Sequence, residues 1–328
     1  MEKRRKVILD VDTGTDDATA IMAAVMAPGL EVLAICTEHG TNPLEQTTKN
    51  TLQVIELLGA EVPVYMGCPR PLARGFYYAW DAGQHVSRGK NEKGESFGYH
   101  DAFDLPEPSR QAEKAHAVTY LIETLRASAE KVTLVACGPL TSVGAALRIA
   151  PDIAGNIEEI VCMGGGVAET NITISAEANI WRDPEAAQIV LLSGVRVTFL
   201  PLDATHRAAL PAEYVGRFEA LGTPVGAFFA ELLRRRIQVY NALQPLWKKD
   251  IAPIHDALCI AYLLDPKVLT DVRHQHLEVC LDHGPGGGTF LVDTRHFHEE
   301  PNAYIAYDAD ACRFGDLLLS VVSGKEGR

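Results

Sequence analysis

The stretch Val7-Ile8-Leu9-Asp10-Val11-Asp12-Thr13-Gly14-Thr15-Asp16-Asp17-Ala18 decides how the rest of the chain is read. An apolar run of strand character leads straight into four carboxylates within eight residues, and a helix-period pattern from Ala18 to Met26 follows. Like charges this close repel one another unless a cation or raised pKa values relieve them. A hard divalent cation, Ca²⁺ or Mg²⁺, suits carboxylate oxygen. In an open α/β sheet, ligands bind at the carboxyl ends of the strands. A helix cap and a first turn favoured by the helix dipole would account for Thr15, Asp16 and Asp17. They would not account for Asp10 and Asp12, which lie two apart on a strand end and so share a face. The stretch therefore reads as a metal or catalytic site.

The rest of the composition fits a protein with a small-molecule or cation partner. Of 328 residues, 47% are hydrophobic, enough for a sizeable core. The net charge of −13, from 30 basic and 43 acidic residues, argues against non-specific nucleic-acid binding, which needs a basic surface. The basic start, Glu2 to Lys6, is followed by only three apolar residues before Asp10, which is not the pattern of a secretory signal. No apolar run approaches the length of a membrane span. The seven cysteines (36, 68, 137, 162, 259, 280 and 312) are scattered, which reads as reduced thiols of a cytoplasmic protein.

Strand-like runs alternate with helical patterns. The expected strands are Lys6–Asp10, Glu31–Cys36, Val132–Ala136, Ile160–Met163 and Arg196–Leu200. The expected helices are Ala18–Met26, Thr47–Leu58, Glu113–Ala127, Leu140–Ile149 and Pro184–Leu192. This alternation predicts an α/β class: a mostly parallel open sheet with helices on both faces. A helix from Val225 to Tyr240 contains Arg234-Arg235-Arg236, read as its solvated, dipole-complementing end. Another helix is expected from His255, then strands around His276–Leu281, Thr289–Asp293 and Ala303–Tyr307, and a last helix over Asp310–Val322. No linker or repeat divides the chain, so residues 1–328 are expected to form one domain. The irregular segment 77–108 is expected to be an active-site flap or an oligomer contact.

Three further clusters sit at predicted strand ends. Cys137-Gly138-Pro139 exposes backbone groups at the sheet edge. Met163-Gly164-Gly165-Gly166 permits close backbone approach to a ligand. It is followed by Asn171, Glu177, Asn179 and Asp183, a density of amides and carboxylates that suits a polyhydroxylated ligand such as a sugar. His255-Asp256 stands at a helix start. Neither a G-x-G-x-x-G nor a P-loop pattern is present, which disfavours dinucleotide and P-loop nucleotide binding.

In this order, the acidic stretch, Met163-Gly164-Gly165-Gly166, Asn171, Glu177-Ala178-Asn179, Asp183-Pro184-Glu185-Ala186-Ala187 and His255-Asp256 closely resemble the nucleoside hydrolases of the inosine–uridine type. The resemblance runs from Val7 to about Asp293. It implies a Rossmann-like fold and a Ca²⁺-dependent N-glycosidase that splits ribonucleosides into ribose and free base. It implies Asp12, Asp17, Asp256 and the main-chain carbonyl of Cys137 as metal ligands, and Asp12 also as general base. Asp16, Asn171, Glu177 and Asn179 would hold the ribose hydroxyls with Met163 nearby, His255 would be the acid for the leaving base, and Asp10 would support the cluster. A homodimer or homotetramer is implied as well.

The chain departs from that pattern in places. The family's Gly-Asn after the second strand appears as Gly40-Thr41-Asn42, which makes both Thr41 and Asn42 candidate ribose contacts. The flap's usual His-Gly appears as Lys93-Gly94, with His85 as an alternative. His85, Gln238 and Tyr240 are candidate base contacts. Two other functions are weighed. Asp10-Val11-Asp12 also resembles the haloacid-dehalogenase-type phosphatase motif, although Gly14 stands where that motif has Thr or Val. A non-catalytic nucleoside- or Ca²⁺-binding homologue is the second.

Overall fold

The computed structural model describes residues 4–74, 88–90, 96–98, 100, 102–296 and 299–324. His85 and Lys93-Gly94 lie outside the described residues. In chain order the first half contains β1 (Arg5–Val11), α1 (Thr15–Met26), β2 (Leu30–Thr37), α2 (Leu44–Leu57), β3 (Val64–Met66), β4 (Arg88–Lys90), β5 (Ser96–Gly98), α3 (Ala117–Ala127), β6 (Val132–Ala136), α4 (Thr141–Ile149) and β7 (Ile157–Met163). The second half contains α5 (Ala178–Arg182), α6 (Pro184–Leu191), β8 (Val197–Leu200), α7 (Leu202–Arg207), β9 (Leu210–Pro211), α8 (Glu213–Glu219), α9 (Pro224–Leu243), β10 (Ile251–Ala252), α10 (Ala257–Leu264), β11 (Leu269–Gln275), β12 (Leu277–Val279), β13 (Phe290–Val292), β14 (Ala303–Ala309) and α11 (Ala311–Val322).

The main sheet has eight strands in the order β11-β14-β8-β7-β6-β1-β2-β3. Only the β11–β14 pair is antiparallel; the other neighbours are parallel. The mostly parallel α/β class expected from the alternation is the one observed. Side-chain alternation divides the core into two layers. Val7, Leu9 and Val11 join one apolar cluster with α1, α9 and α10. Ile8 joins the other, with α3, α4 and α6.

From β1 the chain builds outward through β2 and β3, then crosses back to place β6 on the opposite side of β1. The direction of building reverses between β1 and β6. At such a switch point the loops leaving the two strands diverge and open a crevice. The acidic stretch leaves β1, and Cys137-Gly138 leaves β6, at that crevice.

One expectation needs correcting, and one edge strand was missed. Arg234-Arg235-Arg236 is not a solvated helix end: α9 continues to Leu243, and Arg236 is buried. An edge strand, β11, was not foreseen, because its Leu-Thr-Asp-Val-Arg-His-Gln sequence lacks an apolar run and is mostly exposed.

Candidate active site

A cavity of about 330 Å³ opens at the switch point. The β1–α1 turn supplies Asp12, Asp16 and Asp17, and the segment before α10 supplies His255 and Asp256. The turn is built by its own side chains. Asp17 accepts from the Gly14 amide at 2.9 Å and the Asp12 amide at 3.3 Å. The capping role considered for Asp17 is therefore real, and it also fixes where the carboxylate points. Asp16, Asp17 and Asp256 each offer an oxygen, all within 4.8 Å of one another, and all three are buried. Burial first, then the neighbouring carboxylates, pushes Asp17 and Asp256 well above the usual carboxylate range.

Asp12 lines the same cavity but is held differently. Its Oδ2 accepts from the Thr41 amide at 2.9 Å and the Thr41 hydroxyl at 3.3 Å. Burial pushes its pKa up to about 7, against the lowering effect of the Arg182 charge and the Thr41 hydrogen bonds. Asp10 does not reach the cavity. It lies beneath, facing Glu38, and burial lifts it to about 7 as well. Glu38 in turn accepts from the Ser142 amide at the start of α4. Thr41 reaches the cavity where Asn42 does not: the Asn42 amide turns away to the carbonyl of His100, 3.3 Å distant.

The opposite wall comes from the ends of β6 and β7 and from α5. Glu177 caps α5, accepting from the amides of Asn179 at 2.9 Å and Ile180 at 3.2 Å, and also from Gly165 at 2.9 Å. Asn179 donates to the carbonyls of Cys137 at 2.8 Å and Met163 at 3.2 Å, tying the two strand ends together. The Cys137 carbonyl thus already accepts one hydrogen bond and keeps one lone pair. Asn171 accepts from the Ala178 amide at 3.0 Å and also lines the cavity.

On the remaining side, α9 presents Arg236 and Tyr240. The Tyr240 hydroxyl lies 2.7 Å from His255 Nε2, and the Thr205 hydroxyl lies 2.7 Å from His255 Nδ1. Burial, then the Arg236 charge, holds His255 well below its usual pKa, so the imidazole is neutral. Gln238 is not brought to the cavity. It sits two residues from both Arg236 and Tyr240, which on an α-helix places it on the exposed face. Of the long 77–108 segment, His100 reaches the cavity, with Nδ1 3.8 Å from Asp16.

Arg236, Arg182 and His100 were not foreseen as cavity residues. The only available signal for Arg236 was its four-residue spacing from Tyr240, one helical turn. Arg182 stands one turn after Asn179 on α5. Among the described residues, the cavity walls carry five carboxylates (Asp12, Asp16, Asp17, Glu177 and Asp256) against two guanidiniums (Arg182 and Arg236). Such a set of hard, crowded oxygen donors fits a divalent cation.

The family profile described as "Inosine-uridine preferring nucleoside hydrolase" matches residues 7–316. The pyrimidine-specific ribonucleoside hydrolase RihB of Escherichia coli (strain SE11) is 37% identical over 328 residues, covering 99% of this chain and 98% of that one. Among solved structures, a purine-preferring ribonucleoside hydrolase from Gardnerella vaginalis overlays with a TM-score of 0.85 at 29% identity and 98% coverage of both chains. A plant nucleoside hydrolase overlays with a TM-score of 0.83 at 25% identity, covering 98% of this chain and 99% of that one.

Proposed function

The chain belongs to the inosine–uridine preferring nucleoside hydrolase family, and from that premise we propose a Ca²⁺-dependent ribonucleoside N-glycosidase that releases ribose and free base for salvage. It is a ribonucleoside hydrolase by family. The observation that carries the finer reading is the meeting, in one cavity, of the carboxylate cluster, the Asn171–Glu177–Asn179 wall and His255.

Asp12, Asp17, Asp256 and the Cys137 carbonyl would hold the cation; of these, Asp17 and Asp256 stand in the close carboxylate group, whose third member, Asp16, would reach the ribose hydroxyls, and Asp12 joins from the same cavity wall. Bound there, Ca²⁺ would supply Lewis-acid chemistry and oxygen coordination. The chain's own residues do the rest. With Oδ2 fixed by Thr41, Asp12 takes the proton of the attacking water on Oδ1. Cleavage at C1′ builds positive charge on the sugar, which the carboxylates lining the cavity would stabilise. Asn171, Glu177 and Asn179 orient the far side of the ribose. Tyr240 hands its hydroxyl proton to the leaving base, and His255, hydrogen-bonded to it, donates its Nε2–H to the phenolate oxygen that remains.

We place the enzyme in the cytoplasm on the support of its seven free cysteines; no described helix is long and apolar enough to cross a membrane. It works as one domain, since a single sheet takes strands from Arg5 to Ala309. A homodimer or homotetramer is the assembly expected, to be read by light scattering. The phosphatase alternative lacks its phosphate-binding lysine: none lines the cavity among the described residues.

The test is a panel of inosine, adenosine, uridine and cytidine with Ca²⁺ and with chelator, following release of base and ribose. Turnover that requires Ca²⁺ supports the reading. No turnover of any nucleoside in Ca²⁺ would sink it.

A further inference from the structure

The three arginines of α9 do not act as one patch. Successive helical residues are about 100° apart, so a run of three cannot share a face. Arg234 pairs with Glu219, and Arg235 pairs with Glu231 at 2.7 Å. Arg236 alone turns inward and is only 1% exposed. Its Nη1 lies 3.0 Å from Asp16 Oδ1 and 3.0 Å from the Thr15 hydroxyl, while its Nε donates to the Pro253 carbonyl at 2.7 Å. One guanidinium therefore joins the start of α1 to the segment that carries His255 and Asp256.

We propose that Arg236 is the positioning residue that sets this enzyme's requirement for the ribose 2′-hydroxyl, by locking the Asp16 carboxylate. The inference rests on the reading that Asp16 receives ribose hydroxyls. A carboxylate has two oxygens; Arg236 faces Oδ1 as a buried ion pair at 3.0 Å, its Nη1 hydrogen bond going to Thr15, and the other oxygen is left for the cavity. Anchored by Thr15 and Pro253, the planar fork cannot follow Asp16 if that side chain rotates, so the rotamer is held. Asp16 is also the carboxylate tied to the helix that carries Tyr240, on the side where the base departs. The 2′-hydroxyl is the ribose hydroxyl next to the scissile carbon. A site whose buried acceptor is aimed at a substrate hydroxyl discriminates strongly against the analogue that lacks it.

The experiment compares kcat/KM for uridine and 2′-deoxyuridine, and for inosine and 2′-deoxyinosine, at saturating Ca²⁺. The proteins are wild type, Arg236→Gln, Arg236→Lys, Asp16→Asn and the Arg236→Gln/Asp16→Asn double variant. Wild type should prefer the ribonucleoside by about 100-fold or more. Arg236→Gln should lose activity on the ribonucleoside while changing little on the deoxy analogue, narrowing the preference at least tenfold. The double variant should show the same preference as Asp16→Asn alone. Arg236→Lys keeps the buried charge, so it tests the geometry even if Arg236→Gln fails to fold; its preference should fall between the two. Equal losses on both sugars, or a wild-type preference in Arg236→Lys, would overturn the assignment. Wild-type protein that cleaves no ribonucleoside would instead overturn the reading beneath it.

Discussion

Replacing Gly40 with alanine should disable the enzyme from a position that has no functional group. A Cβ added at Gly40 would lie 1.8 Å from Asp12 Oδ2, 2.4 Å from its Cγ and 2.5 Å from its Cβ. Non-bonded carbons settle near 3.5–4.0 Å, so the two segments must part by about 1 Å. Rotating the carboxylate cannot relieve the clash, because Asp12 Cβ is itself too close and is fixed to the end of β1. Parting the segments breaks both Thr41 hydrogen bonds to Oδ2. Hydrogen bonds to a charged acceptor contribute about 1.5 kcal/mol or more each. Independently, misplacing a catalytic group by about 1 Å costs about 10²-fold. Both routes predict a fall in kcat/KM of about 10²-fold or more, while circular dichroism still shows a folded protein. Gly155→Ala is the control: a Cβ there meets nothing within 4 Å. Steady-state kinetics on the best nucleoside of the panel decides the matter. A Gly40→Ala enzyme within about threefold of wild type would show that the Asp12 position is not what the reaction depends on.

Other outcomes follow from the same geometry. Asp12→Asn should lower kcat by about 10³-fold or more with the fold intact, as expected of a lost general base and charge; substantial residual turnover would refute that role. Tyr240→Phe removes the hydroxyl at His255 Nε2 and should lower kcat/KM about tenfold, the worth of one buried hydrogen bond; unchanged kinetics would exclude it from proton transfer. In chelator, the folded protein holds Asp10 and Asp12 at about 7, above the ordinary value of 3.8. The folded state then binds more protons than the unfolded one between about pH 4 and 7, so stability falls as pH rises through that window. Thermal melts should show a metal-free protein that is more stable at pH 5.5 than at pH 8, with the difference reduced by Ca²⁺; the opposite slope in chelator would contradict the carboxylate cluster's strain.

Much of this was readable from residues in order, and the exceptions have physical causes. The strand of Val7 to Val11 and its turn carry their own meaning, because a buried strand ending in carboxylates is a local pattern. Asp12, Asp16, Asp17, Met163, Asn171, Glu177, Asn179, His255 and Asp256 from the motif set, and Tyr240 from the candidate base contacts, line one cavity, whereas Asp183 does not. Strand order could not be read, since the placement of β6 against β1 is a long-range pairing with no local signature. Gln238 and Arg236 show the limit on helices. They are two positions apart, on opposite faces, and which face the helix turned inward was set by packing against α1. The β11 edge strand escaped notice because exposure removes the apolar pattern that marks a strand.

The His255 imidazole has a hydroxyl on each nitrogen; the Thr205 hydroxyl also donates to the Leu202 carbonyl at 3.5 Å, a long contact that favours the proton on Nδ1 without enforcing it. Both Thr205 and Tyr240 can donate or accept. The two tautomers therefore differ in which ring nitrogen holds the proton and in the rotation of the two O–H bonds, with no movement of the ring. In one, the Tyr240 proton points at His255 and its lone pairs face the cavity. In the other, His255 donates and the Tyr240 proton can turn toward the ligand. On the proposed reading a single side chain would thus show the departing heterocycle either polarity, and one pocket would meet bases whose edges carry opposite hydrogen-bonding patterns.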